Sequence, residues 1–306
     1  RFCFVQWFEN PDDGFYYNFP VDALDCPPEE QTKHFSVKYH KLGADPKNDA
    51  VVFDTPAIDK DKMTMADFLC PRYSENEWVE IVVGTNRTNG LYYRPKGSDE
   101  AFSKLFGPYD NEYEIIAEID GQVYMHTDHN APKGRLVRFS LDNPSPENWE
   151  TIIEEPQDND EVLEYAFIHR DKLYVCRSVG LSDQVDICGL DGNKTDEIQI
   201  PKFSELQFGR FNENSDSCYV EISDPKQPGA IYQYNFDANT LDLVEESNAK
   251  MTLDDAEIER IYATSKDGTQ VPMFVIKPKD VELDGTAAVK LYGYGGFDIP
   301  LTPTYS

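Results

Sequence analysis

The sequence predicts a mainly β protein in which short antiparallel strand units repeat about an axis. Three observations carry that expectation. From residue 15 to about residue 246 the chain alternates β-rich runs with polar turns and shows hardly any helical period. The runs that open the units, at 15–19, 78–83, 123–127, 173–177 and 218–222, start roughly 45 to 65 residues apart, the spacing of propeller blades with insertions. Asp-Gly pairs at Asp13-Gly14, Asp120-Gly121 and Asp191-Gly192 punctuate them, as tight antiparallel turns require.

Each opening run leads through a loop to a second strand, at 35–42, 90–94, 135–140, 185–190 and 230–235. Third strands follow at 149–153 and 240–244. Many of these strands mix apolar with polar or aromatic residues, which suits sheets stacked side by side. A β-sandwich is the alternative, and five similar units favour radial repetition. Past an acidic stretch at 251–257 the pattern changes. Residues 258–264 and 271–278 flank Ser265-Lys-Asp-Gly-Thr269 and read as a hairpin, and 287–292 reads as a third apolar strand. That strand runs into Gly293-Tyr-Gly-Gly296, where a backbone free of Cβ atoms turns sharply. A boundary is therefore expected near residue 255.

The 306 residues suffice for two domains and a large core. A formal net charge of -29 disfavours nucleic acid and anionic membrane surfaces as partners. No apolar run approaches the roughly 20 residues of a membrane helix. The six cysteines lack CxxC spacing, which points to reduced core residues in a cytoplasmic protein and away from zinc or a disulfide framework. His126 and His129 stand three apart on extended chain, so their rings point to opposite faces and do not share a metal. Asp158-Asn-Asp-Glu161 lacks the ligand spacing of a calcium loop and reads as a solvated turn. No metal or cofactor is called for.

The run Leu291-Tyr-Gly-Tyr-Gly-Gly-Phe297 and the stretch from Tyr262-Ala-Thr-Ser-Lys-Asp-Gly268 through Phe274 closely resemble the prolyl oligopeptidase family of serine peptidases. Arg1-Phe-Cys-Phe-Val-Gln-Trp7, Gly134-Arg-Leu-Val-Arg138 and Pro146-Glu-Asn-Trp149 resemble its propeller more loosely. The resemblance implies a partial β-propeller of about five of seven blades over 1–254. The first strands of an α/β-hydrolase peptidase domain would follow over 255–306. Measured against that architecture, the N-terminal segment, the leading blades and most of the catalytic domain are absent.

The activity implied is hydrolysis of short proline-containing peptides on the carboxyl side of proline, by a protein that is monomeric when full length. By resemblance the Tyr294 hydroxyl donates to the oxyanion of the tetrahedral intermediate. Phe297 would form the aromatic wall of the proline pocket, where a flat ring covers the pyrrolidine at little entropic cost. Phe2 would line a more distal subsite. Met65 falls near that subsite in a looser register, where core packing competes with a binding role. A non-enzymatic propeller scaffold is the other reading, and the glycine-aromatic run speaks against it. No serine here sits in GxSxG, the nearest run being Gly180-Leu-Ser-Asp183. Residues 1–306 alone should therefore resist covalent labelling by a fluorophosphonate; a labelled chain would overturn this.

Overall fold

The computed structural model describes residues 4–7, 13–20, 27, 35–55, 63–249, 253–296, 299–302, 304 and 305. These residues form two units, Arg1–Glu155 and Pro156–Ser306. In the first unit, β1 (Val5–Trp7), β2 (Gly14–Pro20), β3 (Phe35–Lys41) and β4 (Ala50–Asp54) make the first sheet. The second sheet holds β5 (Thr64–Leu69), β6 (Asn76–Val83), β7 (Asn89–Pro95) and β8 (Ser103–Phe106). The third holds β9 (Tyr113–Ile119), β10 (Gln122–Thr127), β11 (Arg135–Ser140) and β12 (Glu150–Ile153).

In the second unit, β13 (Glu161–His169), β14 (Lys172–Val179), β15 (Ser182–Gly189) and β16 (Lys194–Ile198) form the fourth sheet. The fifth holds β17 (Glu205–Phe208), β18 (Ser217–Ser223), β19 (Ala230–Asn235) and β20 (Thr240–Glu245). A separate hairpin follows, β21 (Ala256–Thr264) with β22 (Gln270–Pro278). Each four-stranded sheet is an antiparallel meander in sequence order.

Turn chemistry sets this order. Asp120 and Gly121, at φ 50° and 71°, join β9 to β10 with both residues left-handed, the geometry whose twist matches flanking antiparallel strands. Gly180 and Leu181, at φ 58° and 65°, do the same between β14 and β15, without an Asp-Gly or Asn-Gly signal. Between the third and fourth strands of every sheet the register slips by one. The residues left unopposed on the outer strand are Val52, Leu105, Ile152, Thr195 and Val244.

Side chains between consecutive sheets form the core. Tyr16, Val37 and Phe53 of the first sheet meet Ala66, Phe68, Val79, Ile81 and Val83 of the second, with Tyr16 stacked on Phe68. Trp78 and Leu91 turn the other way, against Tyr113, Ile115, Val123, Met125, Val137 and Phe139 of the third. In the second unit Tyr174, Cys176, Val185 and Ile187 pack on Leu206, Cys218, Val220, Tyr234 and Phe236. Covered on both faces, β10 and β14 each bury several consecutive residues.

Two expectations need correction. The runs at 15–19, 78–83, 123–127, 173–177 and 218–222 are the second strand of each sheet, because β1, β5, β9, β13 and β17 precede them. Ile116 on β9 and Glu164 on β13 are bulge residues that break the two-residue alternation, and β1 and β17 are only three and four residues long. Second, 287–292 is not a strand. The β21–β22 sheet has two strands, so this run has no ladder to complete, and Val289 and Leu291 are each 85% exposed.

Trp78 is fully buried, and its indole N–H donates to Ser74 Oγ at 2.9 Å. Trp78→Ala should cost about 3–5 kcal/mol, read as a lower urea midpoint at unchanged slope for the first unit. A loss below about 1 kcal/mol would mean that this packing does not hold the second and third sheets.

Candidate functional site

In the segment after β22, Tyr292 and Tyr294 are exposed. Gly295 is left-handed at φ 72°, and a Cβ on Gly293, Gly295 or Gly296 would meet nothing within 4 Å. Tyr294 is 51% exposed, and among the described residues its hydroxyl makes no hydrogen bond. A phenol so placed can donate to an incoming oxygen without first breaking an internal bond. Past the turn, Ile299 N–H donates to Gly296 O at 3.2 Å, and Thr302 Oγ1 donates to Glu205 Oε2 at 3.2 Å. Phe297 and Phe2 lie outside the described residues.

Met65 is half-buried on β5, opposite Val82. Two residues on, Asp67 pairs across the ladder with Glu80. Burial pushes the Asp67 carboxyl up to about 6, against the opposing hydrogen bond from Asn18. Glu80 is raised too, by burial and then by Asp67, Glu114 and Glu112, while Asn89 pulls it down. Two carboxylates directly opposite repel, and the amides of Asn18 and Asn89 offset part of that repulsion. Met65 and Tyr294 belong to different units.

His126 and His129 are held by local partners. His126 Nδ1 lies 3.6 Å from Glu114 Oε2, whereas His129 engages Asn111 and Asn130. Asp158–Glu161 is more than a solvated turn, since Glu161 pairs with Arg177 at 2.7 Å and Asp160 accepts from the Tyr262 hydroxyl. Cys176, Cys188 and Cys218 are buried in the core, where burial pushes the Cys188 thiol up to about 11 and keeps it from reacting as thiolate.

A set of contacts invisible to motif reading ties the hairpin to the fourth sheet and to the approach to the fifth. Arg260 on β21 donates to Gly180 O at 3.1 Å, and its guanidinium stands 5.6 Å from the Tyr262 ring. Phe274 on β22 meets Phe203 edge-on at 5.4 Å. Gly180 accommodates this contact because it lacks a side chain: a Cβ there would fall 1.3 Å from Arg260 Nη1. These contacts fix where the hairpin, and hence the start of the segment leading to Tyr294, emerges.

Comparison with known proteins fits the five meanders. The family model described as "Prolyl oligopeptidase, N-terminal beta-propeller domain" matches residues 2–247. The chain belongs to the prolyl oligopeptidase family. Its five four-stranded sheets are blades of the family's propeller. The chain is 24% identical over its whole length to the prolyl endopeptidase of Elizabethkingia miricola and 28% to prolyl oligopeptidase ophP of Omphalotus olearius. It spans 42% of the length of each.

A solved structure from a study of two prolyl endopeptidases superposes over the whole chain, covering 44% of its own, with TM-score 0.86 and 25% identity. Prolyl oligopeptidase B of Galerina marginata, bound to a 35mer hydrolysis and macrocyclization substrate, shares the fold at TM-score 0.85 and 21% identity, over all of this chain and 43% of that one.

Arg260→Met removes the charged donor and leaves Gly180 intact. Hydrogen exchange of the β21 and β22 amides should then accelerate about tenfold, the worth of one charge-assisted hydrogen bond. Gly180→Ala should do at least as much; unchanged exchange in both variants would show that the hairpin is held by other contacts.

Proposed function

We propose that this chain supplies the substrate-filter propeller, residues 1–254, and the leading strands of the peptidase domain, residues 255–306, of a serine peptidase. The enzyme cleaves short peptides on the carboxyl side of proline and works as a cytoplasmic monomer. The observation that carries this reading is the exposed Tyr294 hydroxyl, unbonded among the described residues, in a glycine turn on a chain whose residues 2–247 match the family's propeller. A phenol O–H held in a dry site stabilises developing oxyanion charge by a few kcal/mol, because the dipole needs no reorientation as charge appears. Phe297 would stack on the proline ring next to it, and Phe2 and Met65 would line the propeller side of the peptide path. The attacking serine and its base would come from a longer polypeptide, since no residue here forms a nucleophile elbow.

Tyr294→Phe, made in a polypeptide that carries the nucleophile, should lower kcat about 100-fold and leave KM within about threefold, since only the transition state bears the oxyanion. An unchanged kcat would remove Tyr294 from the chemistry.

A further inference from the structure

The ladder of the β21–β22 hairpin differs from those that close the five meanders. Every residue of β21, from Ala256 to Thr264, is paired with β22, and the register never slips. Just past one end Ser265 N–H donates to Thr269 O at 2.8 Å, and just past the other Lys279 N–H donates to Asp255 O at 3.1 Å. Antiparallel pairs alternate between bonded and unbonded, so the odd-numbered pairs carry this ladder. Even-numbered residues therefore turn their N–H and C=O groups away from the partner strand. On β22 these positions include Pro272 and Pro278, which have no N–H, and that edge is blunted. On β21 they include Ile258, Arg260 and Tyr262. Among the described residues, the backbone groups of these three take no hydrogen-bond partner, and no third strand joins the sheet. The outer side of β21 is thus a regular, proline-free edge of the kind that accepts a further strand.

Side chains along β21 set the chemistry of what can be added. Arg260 and Tyr262 are engaged with Gly180 and Asp160, so that face is taken. By the two-residue period Glu257 and Glu259 stand on the opposite face, and both are exposed. Lys277 holds Glu257 at 2.6 Å from across the ladder. Glu259 faces Val275 and makes no ion pair among the described residues. Asp254 and Asp255, both exposed, extend an acidic border past the start of the strand. A second copy of β21 fits this edge badly. Antiparallel pairing centred on Ile258, Glu259 or Arg260 sets Glu257 against Glu259, Glu259 against itself or Arg260 against itself. Cations at alternate positions of an incoming strand meet Glu259 and the acidic border instead, on a chain of net charge -29.

We propose that the free edge of β21 is a docking site for an extended basic segment of a partner protein, added as a third strand with lysine or arginine at alternate positions. Main-chain bonds to Ile258, Arg260 and Tyr262 supply the affinity, and Glu259 selects the charge.

Two synthetic peptides of the length of β21 test this on the whole chain, one alternating lysine with threonine and one alternating glutamate with threonine. By fluorescence anisotropy the lysine peptide should bind about tenfold more tightly, or better. Once it is bound, hydrogen exchange at Ile258, Arg260 and Tyr262 should slow about tenfold, while the Glu257 and Glu259 amides, already in the ladder, change little. Ile258→Pro removes an N–H that the hairpin does not use. It should weaken the lysine peptide about tenfold and leave Glu257 and Glu259 protected. Glu259→Lys keeps the backbone edge and should cut the preference for lysine about tenfold. Equal binding of the two peptides overturns the proposal, as does binding that leaves the three even-numbered amides unprotected, which marks attraction to the acidic surface alone. Undiminished binding by a folded Ile258→Pro variant, or a preference unchanged by Glu259→Lys, does the same. So does protection of those amides that rises with chain concentration in the absence of peptide, since the occupant is then a second copy.

Discussion

Between consecutive sheets there is space for one layer of side chains from each, and filling it without voids is the constraint on which the rest depends. A meander sheet alone buries little, because its strands touch only their neighbours in the ladder. Stacked, strands such as β10 and β14 lose water from both faces, whereas β18 buries every second residue, and apolar residues accumulate on the covered faces at roughly 25 cal/mol for each Å² removed from solvent. The ring of Trp78, the stack of Tyr16 on Phe68 and the pair Tyr174 and Phe236 are the largest pieces of this fill. Several of the polar groups that enter it arrive with partners. Glu118 is 6% exposed and accepts from Ser74 at 2.6 Å and Asn76 at 2.9 Å, and Glu77 holds Arg94 at 2.6 Å. Such groups cost several kcal/mol if left unpaired, so they fix the relative height of neighbouring strands more sharply than apolar contact does.

The hairpin depends on that same layered support. Its strands, β21 and β22, bury few residues of their own. Their position comes from Arg260, Tyr262 and Phe274 resting on residues of the fourth sheet and of the approach to the fifth. The glycine-aromatic segment beyond inherits its starting point from those contacts, which links a hydrogen bond at Gly180 to the placement of the run that contains Tyr294.

How much of this could be read from sequence follows from chain distance and from burial. The second and third strands of each sheet were legible as β-rich runs because at least one of their faces is covered, and in β10 and β14 both are. The first strands were not: Ile116 and Glu164 interrupt the alternation in β9 and β13, and β17 is too short to show one. The hairpin was legible from its Asp-Gly turn. The run at 287–292 has strand composition, yet strand identity also needs a neighbour, which composition does not supply. Among the candidate site residues, Tyr294 stood out only through its glycine context. The partners of Arg260 and Tyr262 lie 80 and 102 positions away, and no local pattern announces them.

The one-residue slip that recurs at Val52, Leu105, Ile152, Thr195 and Val244 has a consequence for how these molecules meet one another. An outermost strand normally offers a straight row of amide and carbonyl groups that a foreign segment can zip onto. On β4, β8, β12, β16 and β20 that rim is kinked, and acidic or basic side chains such as Asp54, Lys104, Glu150, Lys194 and Asp242 stand along it. A would-be intruder finds its groups out of phase where the register slips, which makes these five strands poor templates for edge-to-edge pairing.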